Sequence, residues 1–252
     1  MKCNKRLKYS NYVAFSHFHG TAVNNSGVKM KKSAGRSLEG YKVRITDKDE
    51  LINRIIDAEW AMFDEVDNIG GRAGCQDDGR TFYIMRYSNH CCLSEKTLGS
   101  YYDDILEAVS AGRNLISEKY AYMMEFTDPE YFRTELEPVL PYITASKQRL
   151  VDAIVDITVD SELRFAKKYP YFSRGSRPTE DDSAGITSVK SYAAGEYKTY
   201  SEKTLEAYLE DLRAMLDEGI EPSFAVHDRM VRFYGYDGID DAEQQMKDRY
   251  NR

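Results

Sequence analysis

Asp47-Lys48-Asp49-Glu50-Leu51-Ile52-Asn53-Arg54-Ile55-Ile56-Asp57-Ala58-Glu59-Trp60-Ala61-Met62-Phe63-Asp64-Glu65-Val66-Asp67 decides how this chain folds. At about 100° per residue, Ile52, Ile55, Ile56, Met62, Phe63 and Val66 fall on one face of a helix. Asp49, Arg54, Asp57, Asp64 and Asp67 fall elsewhere. Glu59 lands in the middle of the apolar face. A carboxylate there is costly unless it is paired, hydrogen-bonded or neutral. Three readings are open: a structural ion pair with an internal arginine, a general base, acid or ligand-holding group with a shifted pKa, or a helix edge open to water. Asp47 or Asp49 is the expected N-cap, and the helix is expected to run to about Asn68, where Gly70-Gly71 stops it.

Just downstream, Gly70-Gly71-Arg72-Ala73-Gly74-Cys75-Gln76-Asp77-Asp78 packs an arginine, a thiol, an amide and two carboxylates into one turn. Its backbone N–H groups can form an anion-holding nest with Arg72 adding charge, although the spacing alone favours a flexible helix-ending turn. No Lys-Ser or Lys-Thr follows the glycines, so it is not a P-loop. Cys75 has no histidine at a diagnostic spacing, and a packed free thiol competes with a nucleophile. Asp77 and Asp78 either cap the helix expected over Thr81–Ser88 or join Glu59 around Mg²⁺ on a phosphorylated ligand. Cys75, His90, Cys91 and Cys92 lack zinc spacing. No metal and no cofactor is assigned. Phe82, Met85 and Arg86 share a face, which makes Arg86 the first candidate partner for Glu59.

Helical periodicity continues over 99–111 (Tyr102, Ile105, Leu106 and Val109 inward), 113–126, 144–168, 201–219, 222–234 and 239–251. Asp128-Pro129 opens a short acidic turn, and Ser201 caps the helix that Gly219 ends. Residues 169–200 read as one long irregular stretch, and long loops in compact domains are commonly functional. Within it, Arg174 and Arg177 are candidates for a flap, with Glu196 and Tyr200 facing the same pocket. No hairpin signal and no repeat appears. The expected fold is all-α, a single helical bundle-like domain over 41–252 with mixed packing angles, preceded by a mobile basic extension over 1–40. His17 and His19 in that extension read as incidental, and Met30 is an alternative start to Met1.

Bulk properties narrow the function classes. A length of 252 residues supports a large core without staples. A net charge of −7 argues against broad nucleic-acid or membrane-surface binding. Four cysteines in no framework, with no signal peptide and no apolar run of membrane length, point to the cytoplasm.

Glu59-Trp60-x-Met62-Phe63, Asn68, Gly70-Gly71-Arg72-Ala73-x-Cys75-Gln76-Asp77-Asp78, Thr81-Phe82, Met85-Arg86 and Ser88 resemble the signature of a bacterial domain-of-unknown-function family, number 4125. Arg177-Pro178, Thr187-Ser188, Tyr192, Gly195-Glu196 and Thr199-Tyr200-Ser201-x-x-Thr204-Leu205 resemble its second block. The resemblance covers roughly 47–217. Asn89-His90-Cys91-Cys92 departs from the bulkier, often aromatic stretch it leads one to expect. It implies no chemistry, but it adds weight to the polar residues as one functional unit and hints at a nucleotidyltransferase-like partner. One reading is an enzyme acting on a small anionic molecule. Glu59, Cys75, Asp77 and Asp78 are then the candidate catalytic residues, and Asn68, Gly71, Arg72, Gln76, Arg86, Arg177, Glu196 and Tyr200 the candidate substrate-binding ones. The other is a helical binding or regulatory module that pairs with a nucleotidyltransferase-like protein.

Overall fold

The computed structural model describes residues 46–67, 71–182 and 186–251. The extension over 1–40, with His17, His19 and Met30, lies outside the described residues, as do Asn68 and Gly70. The described chain is all-α, with eleven α-helices and no strand among the described residues.

Helix α1 spans Asp47–Asp64. Its cap is Thr46, one residue earlier than expected. The Thr46 side chain accepts from the Asp49 N–H, and the Asp49 carboxylate accepts from the Thr46 N–H. This reciprocal box satisfies two donors at once, which neither Asp47 nor Asp49 achieves as a cap alone. The helix also stops at Asp64 rather than Asn68. After a 3₁₀ turn at Gly74–Asp77, α2 runs Gly79–His90 with Asp78 as its N-cap, as the sequence suggested. Helix α3, Glu95–Ser110, starts four residues before the expected Gly99 because Ser94 caps it. Its stripe is also rotated. Leu98, Tyr101, Ile105 and Ala108 face inward, while Leu106 and Val109 are 51% and 59% exposed.

Helix α4, Leu115–Thr127, is capped by Asn114, and α5 is the short Pro129–Tyr131 turn behind Asp128. A π turn over Phe132–Leu136 and a 3₁₀ turn over Glu137–Val139 lead to α6, Ala145–Lys168. The expected irregular stretch over 169–200 holds two helices, α7 at Pro170–Ser173 and α8 at Val189–Tyr197. Helices α9 (Glu202–Asp217), α10 (Pro222–Phe233) and α11 (Ile239–Tyr250) complete the chain.

The main core gathers Ile52, Ile55, Leu98, Ile105, Met123, Ile154 and Leu205 from α1, α3, α4, α6 and α9. A second core around Phe165, Phe172 and Val231 joins the end of α6 to α7, α10 and α11. A third, around Tyr122, Phe132 and Leu136, sits beneath the π turn.

Helix α8 lies against α4 with almost no space between backbones. A Cβ placed on Gly195 would come within 2.6 Å of Met123 Cγ and 2.8 Å of the Lys119 carbonyl oxygen. The latter is helix backbone and cannot step aside. Gly195→Ala is therefore expected to lower unfolding stability by about 2 kcal/mol, despite alanine's better helix propensity. Chemical denaturation of the variant against wild type measures this, and an unchanged midpoint would refute the close approach.

Candidate functional site

Glu59 is wholly buried at the centre of α1's inner face. Arg86, one turn from the end of α2, meets it with a two-pronged contact. Its Nε donates to Glu59 Oε2 at 2.8 Å, and its Nη2 donates to Oε1. Tyr101 of α3 donates its hydroxyl to Oε1 at 2.8 Å, and His90 Nε2 lies 3.2 Å from Oε2. The third prong of Arg86, Nη1, donates to Glu196 Oε1 at 2.8 Å. Glu196 also accepts from Lys119 Nζ at 2.6 Å and from the Tyr200 hydroxyl at 3.0 Å. Two carboxylates and two cations thus alternate, Glu59–Arg86–Glu196–Lys119, and their formal charges cancel. The inner end is sealed, but Arg86 and Glu196 side chains remain 12% and 13% exposed.

Two further groups extend the outer end. Lys119 Nζ sits 3.6 Å from the centroid of the Tyr192 ring, and the Arg177 guanidinium lies 4.9 Å from the same centroid. Arg177 is tied to its own loop by donating to the Thr187 carbonyl at 2.6 Å. The Tyr101 and Tyr200 rings pack at 4.4 Å beneath the network.

The ionisation states follow from these contacts. Burial pushes Glu59 upward, but Arg86 and His90 outweigh it and hold the carboxyl at about 2. Burial likewise opposes Glu196, and Arg86 with Lys119 holds it well below the usual carboxylate range. Burial lowers Arg86, and Glu196 with Glu59 more than restores it. Burial raises the Tyr101 and Tyr200 hydroxyls, keeping them neutral donors.

The residues singled out in the sequence separate into two assemblies. Glu59, Arg86, Glu196 and Tyr200 share the network, and Arg177 reaches it through Tyr192. Arg72, Gln76, Asp77 and Asp78 form the joint between α1 and α2. The Gln76 amide, itself buried, donates to the carbonyls of Phe63 at 2.9 Å and Val66 at 3.0 Å, and its oxygen accepts from the Ala73 N–H at 2.8 Å. Arg72 donates to Asp64 Oδ1 at 2.6 Å, Asp77 Oδ1 at 2.8 Å and the Gln76 carbonyl at 2.6 Å. Gly71 supplies the left-handed turn, with φ +87°. With Asn114 donating to the Met62 carbonyl, side chains answer the carbonyls left open where α1 ends. Cys75 packs on the main core, and burial raises its thiol. Among the described residues, no group of three or more His, Cys, Asp or Glu is placed to hold a metal ion. Neither Glu59 with Asp77 and Asp78, nor Cys75 with His90, Cys91 and Cys92, gathers into a ligand set.

Lys119, Tyr101, His90 and Tyr192 were not read from the sequence as parts of this arrangement. Lys119 carried the same signal as Glu59. It lies on α4 among Ile116, Tyr120 and Met123, a charge on an apolar face.

Because Glu59 titrates lower folded than unfolded, its contribution to stability is complete above its ordinary value of 4.5 and is lost as pH falls towards about 2. Glu59→Gln is expected to cost about 3–5 kcal/mol at neutral pH by leaving Arg86 half-paired. It should also flatten the stability profile between those two pH values. Urea titrations of both proteins across that range check both effects.

No described helix is long and apolar enough to cross a membrane. No curated protein and no solved structure matches this chain. The family described as "Protein of unknown function (DUF4125)" matches residues 49–244, covering both the α1–α2 joint and every member of the charge network, and the chain belongs to that family.

Proposed function

We propose that this chain binds a small anionic molecule, as ligand or substrate, at the outer end of the charge network, and that it does so in the cytoplasm. One observation carries the reading. Glu196 bridges Arg86 and Lys119 with its two oxygens while keeping one edge towards solvent. Its carboxylate stands where a ligand's carboxylate or phosphate would stand. An incoming anion that displaces it meets two cations already aimed and largely stripped of water, and such pairs are strong. Tyr192 offers a ring beside that position, and Arg177 approaches it from the segment that follows α7.

On this reading Glu59 is a positioning residue. A carboxyl held at about 2 is a weak base at neutral pH, so its task is to fix the Arg86 fork. Gln76, Arg72, Asp77 and Asp78 act one step further back by setting where α2 begins. Three described cysteines are free, which supports a reducing compartment.

Glu196→Gln should bind small anions about tenfold more tightly than wild type, because it leaves Arg86 and Lys119 with less negative charge between them. Arg177→Ala should weaken the same binding. Calorimetric titration with inorganic phosphate, short dicarboxylates, amino acids and nucleoside phosphates reads both effects. A flat response of both proteins across the panel would sink the idea.

A second reading rests on α3. Leu106 and Val109, one turn apart, are both more than half exposed. Such a face suits a helical module that docks on a nucleotidyltransferase-like protein. Leu106→Glu with Val109→Glu would abolish co-purification with that partner and leave anion binding unchanged.

A further inference from the structure

Cys91 and Cys92 follow α2 directly, and neither takes part in the network described above. Both are partly buried and both are free thiols. Their sulfurs converge on one acceptor, the Ser88 carbonyl, with Cys91 Sγ at 3.3 Å and Cys92 Sγ at 3.4 Å. Positive charge acts on the pair: Lys48 Nζ donates to the Cys91 carbonyl at 2.9 Å, and the charge of Arg229 on α10 favours the thiolate form of both cysteines.

We propose that Cys91 and Cys92 form a vicinal dithiol that exchanges reversibly with small-molecule disulfides of the glutathione class. The two thiols share one acceptor, so either sulfur can make the first attack. One thiol loses its proton, and its thiolate attacks one sulfur of the small disulfide, forms a mixed disulfide and releases one small thiolate. The other thiol then loses its proton and attacks the protein sulfur of that mixed disulfide, forming the Cys91–Cys92 bond and releasing the second small thiol. Two protein thiols are oxidised and one small disulfide is reduced to two small thiols, so atoms and electrons balance.

The bond so formed is built to be reversible. Adjacent Cα atoms stand about 3.8 Å apart across a trans peptide, less than the ~4.4 Å at which ordinary disulfides begin. A ring closed over that span is strained, and strained disulfides are the readily reduced ones. Closing it also disturbs the turn that ends α2. There the Cys91 N–H donates to the Tyr87 carbonyl, the Cys92 N–H to that of Asn89, and the Leu93 N–H to that of His90. His90 is the residue whose ring meets Glu59. The oxidation state of the pair thus reaches the buried network through one residue of backbone. The exchange itself does not depend on the ligand reading given above.

The test uses the full chain carrying Cys3→Ser and Cys75→Ser, so that only the pair remains. Native protein is treated with oxidised glutathione and its intact mass is followed. The expected product has lost two hydrogens, carries no adduct and returns to its starting mass with dithiothreitol. With Cys91→Ser added, the glutathione adduct should persist on Cys92, and with Cys92→Ser added it should persist on Cys91. In the oxidised protein the amides of Cys92 and Leu93 should exchange hydrogen faster than in the reduced one. A lasting glutathione adduct on the two-cysteine protein, a disulfide-linked dimer, or thiols that stay reduced while the urea-unfolded protein oxidises would each overturn the proposal.

Discussion

A carboxylate sealed in an apolar core has to be neutralised, and the placement of much of this molecule follows from how Glu59 is neutralised. Arg86 supplies the charge, and it can do so only if α2 comes back across α1. That return is set by the joint between them, where Gln76 and Arg72 close the end of α1 and Asp78 opens α2. Arg86 in turn carries more N–H donors than the Glu59 carboxylate takes up, and Glu196 accepts from its third prong. Glu196 has a second oxygen, and Lys119 answers it. Each member is there because the one before it left something unsatisfied. The series ends at Lys119 against the Tyr192 ring, while Arg86 and Glu196 in its middle approach the surface.

The two assemblies differ in kind. The joint between α1 and α2 is made of side chains that hold backbone carbonyls and N–H groups, so its members are used up in shaping the chain. The network is made of side chains that hold each other, and the proposed ligand site rests on a competitor of the right charge replacing one of them. This difference is why the polar residues of Arg72-Ala73-Gly74-Cys75-Gln76-Asp77-Asp78, the most conspicuous in the sequence, carry the proposed site less directly than Glu196, which looks ordinary there.

Much of the fold was legible because most helices have leucine, isoleucine or methionine at helical spacing and a Ser, Asn, Asp or Thr ahead of them. Helix α8 was not legible. Val189-Lys190-Ser191-Tyr192-Ala193-Ala194-Gly195-Glu196-Tyr197 is rich in small residues and tyrosine and has no aliphatic stripe. It is a helix because Ser188 caps it and because its small residues fit against α4, which only the packed structure reveals. The rotated face of α3 has a similar origin. Tyr101 and Tyr102 are equivalent by composition, and the hydroxyl acceptor that draws Tyr101 inward belongs to Glu59, 42 residues earlier. Pairing of Glu59 with Arg86 was readable because both lie in amphipathic segments near one another. Lys119 and Glu196 were harder to join because 77 residues separate them.

That same separation bears on the order in which the molecule can be completed. Arg86 and Lys119 must wait for Glu196, which lies 110 and 77 residues further along the chain. During synthesis from the N-terminus, α1 to α4 therefore emerge with two cations facing their shared interior and a single carboxylate between them. Closing those four helices into a dry core before α8 arrives would bury one cation without its counter-charge, so drying that interior is favoured only once this short, glycine-bearing helix docks.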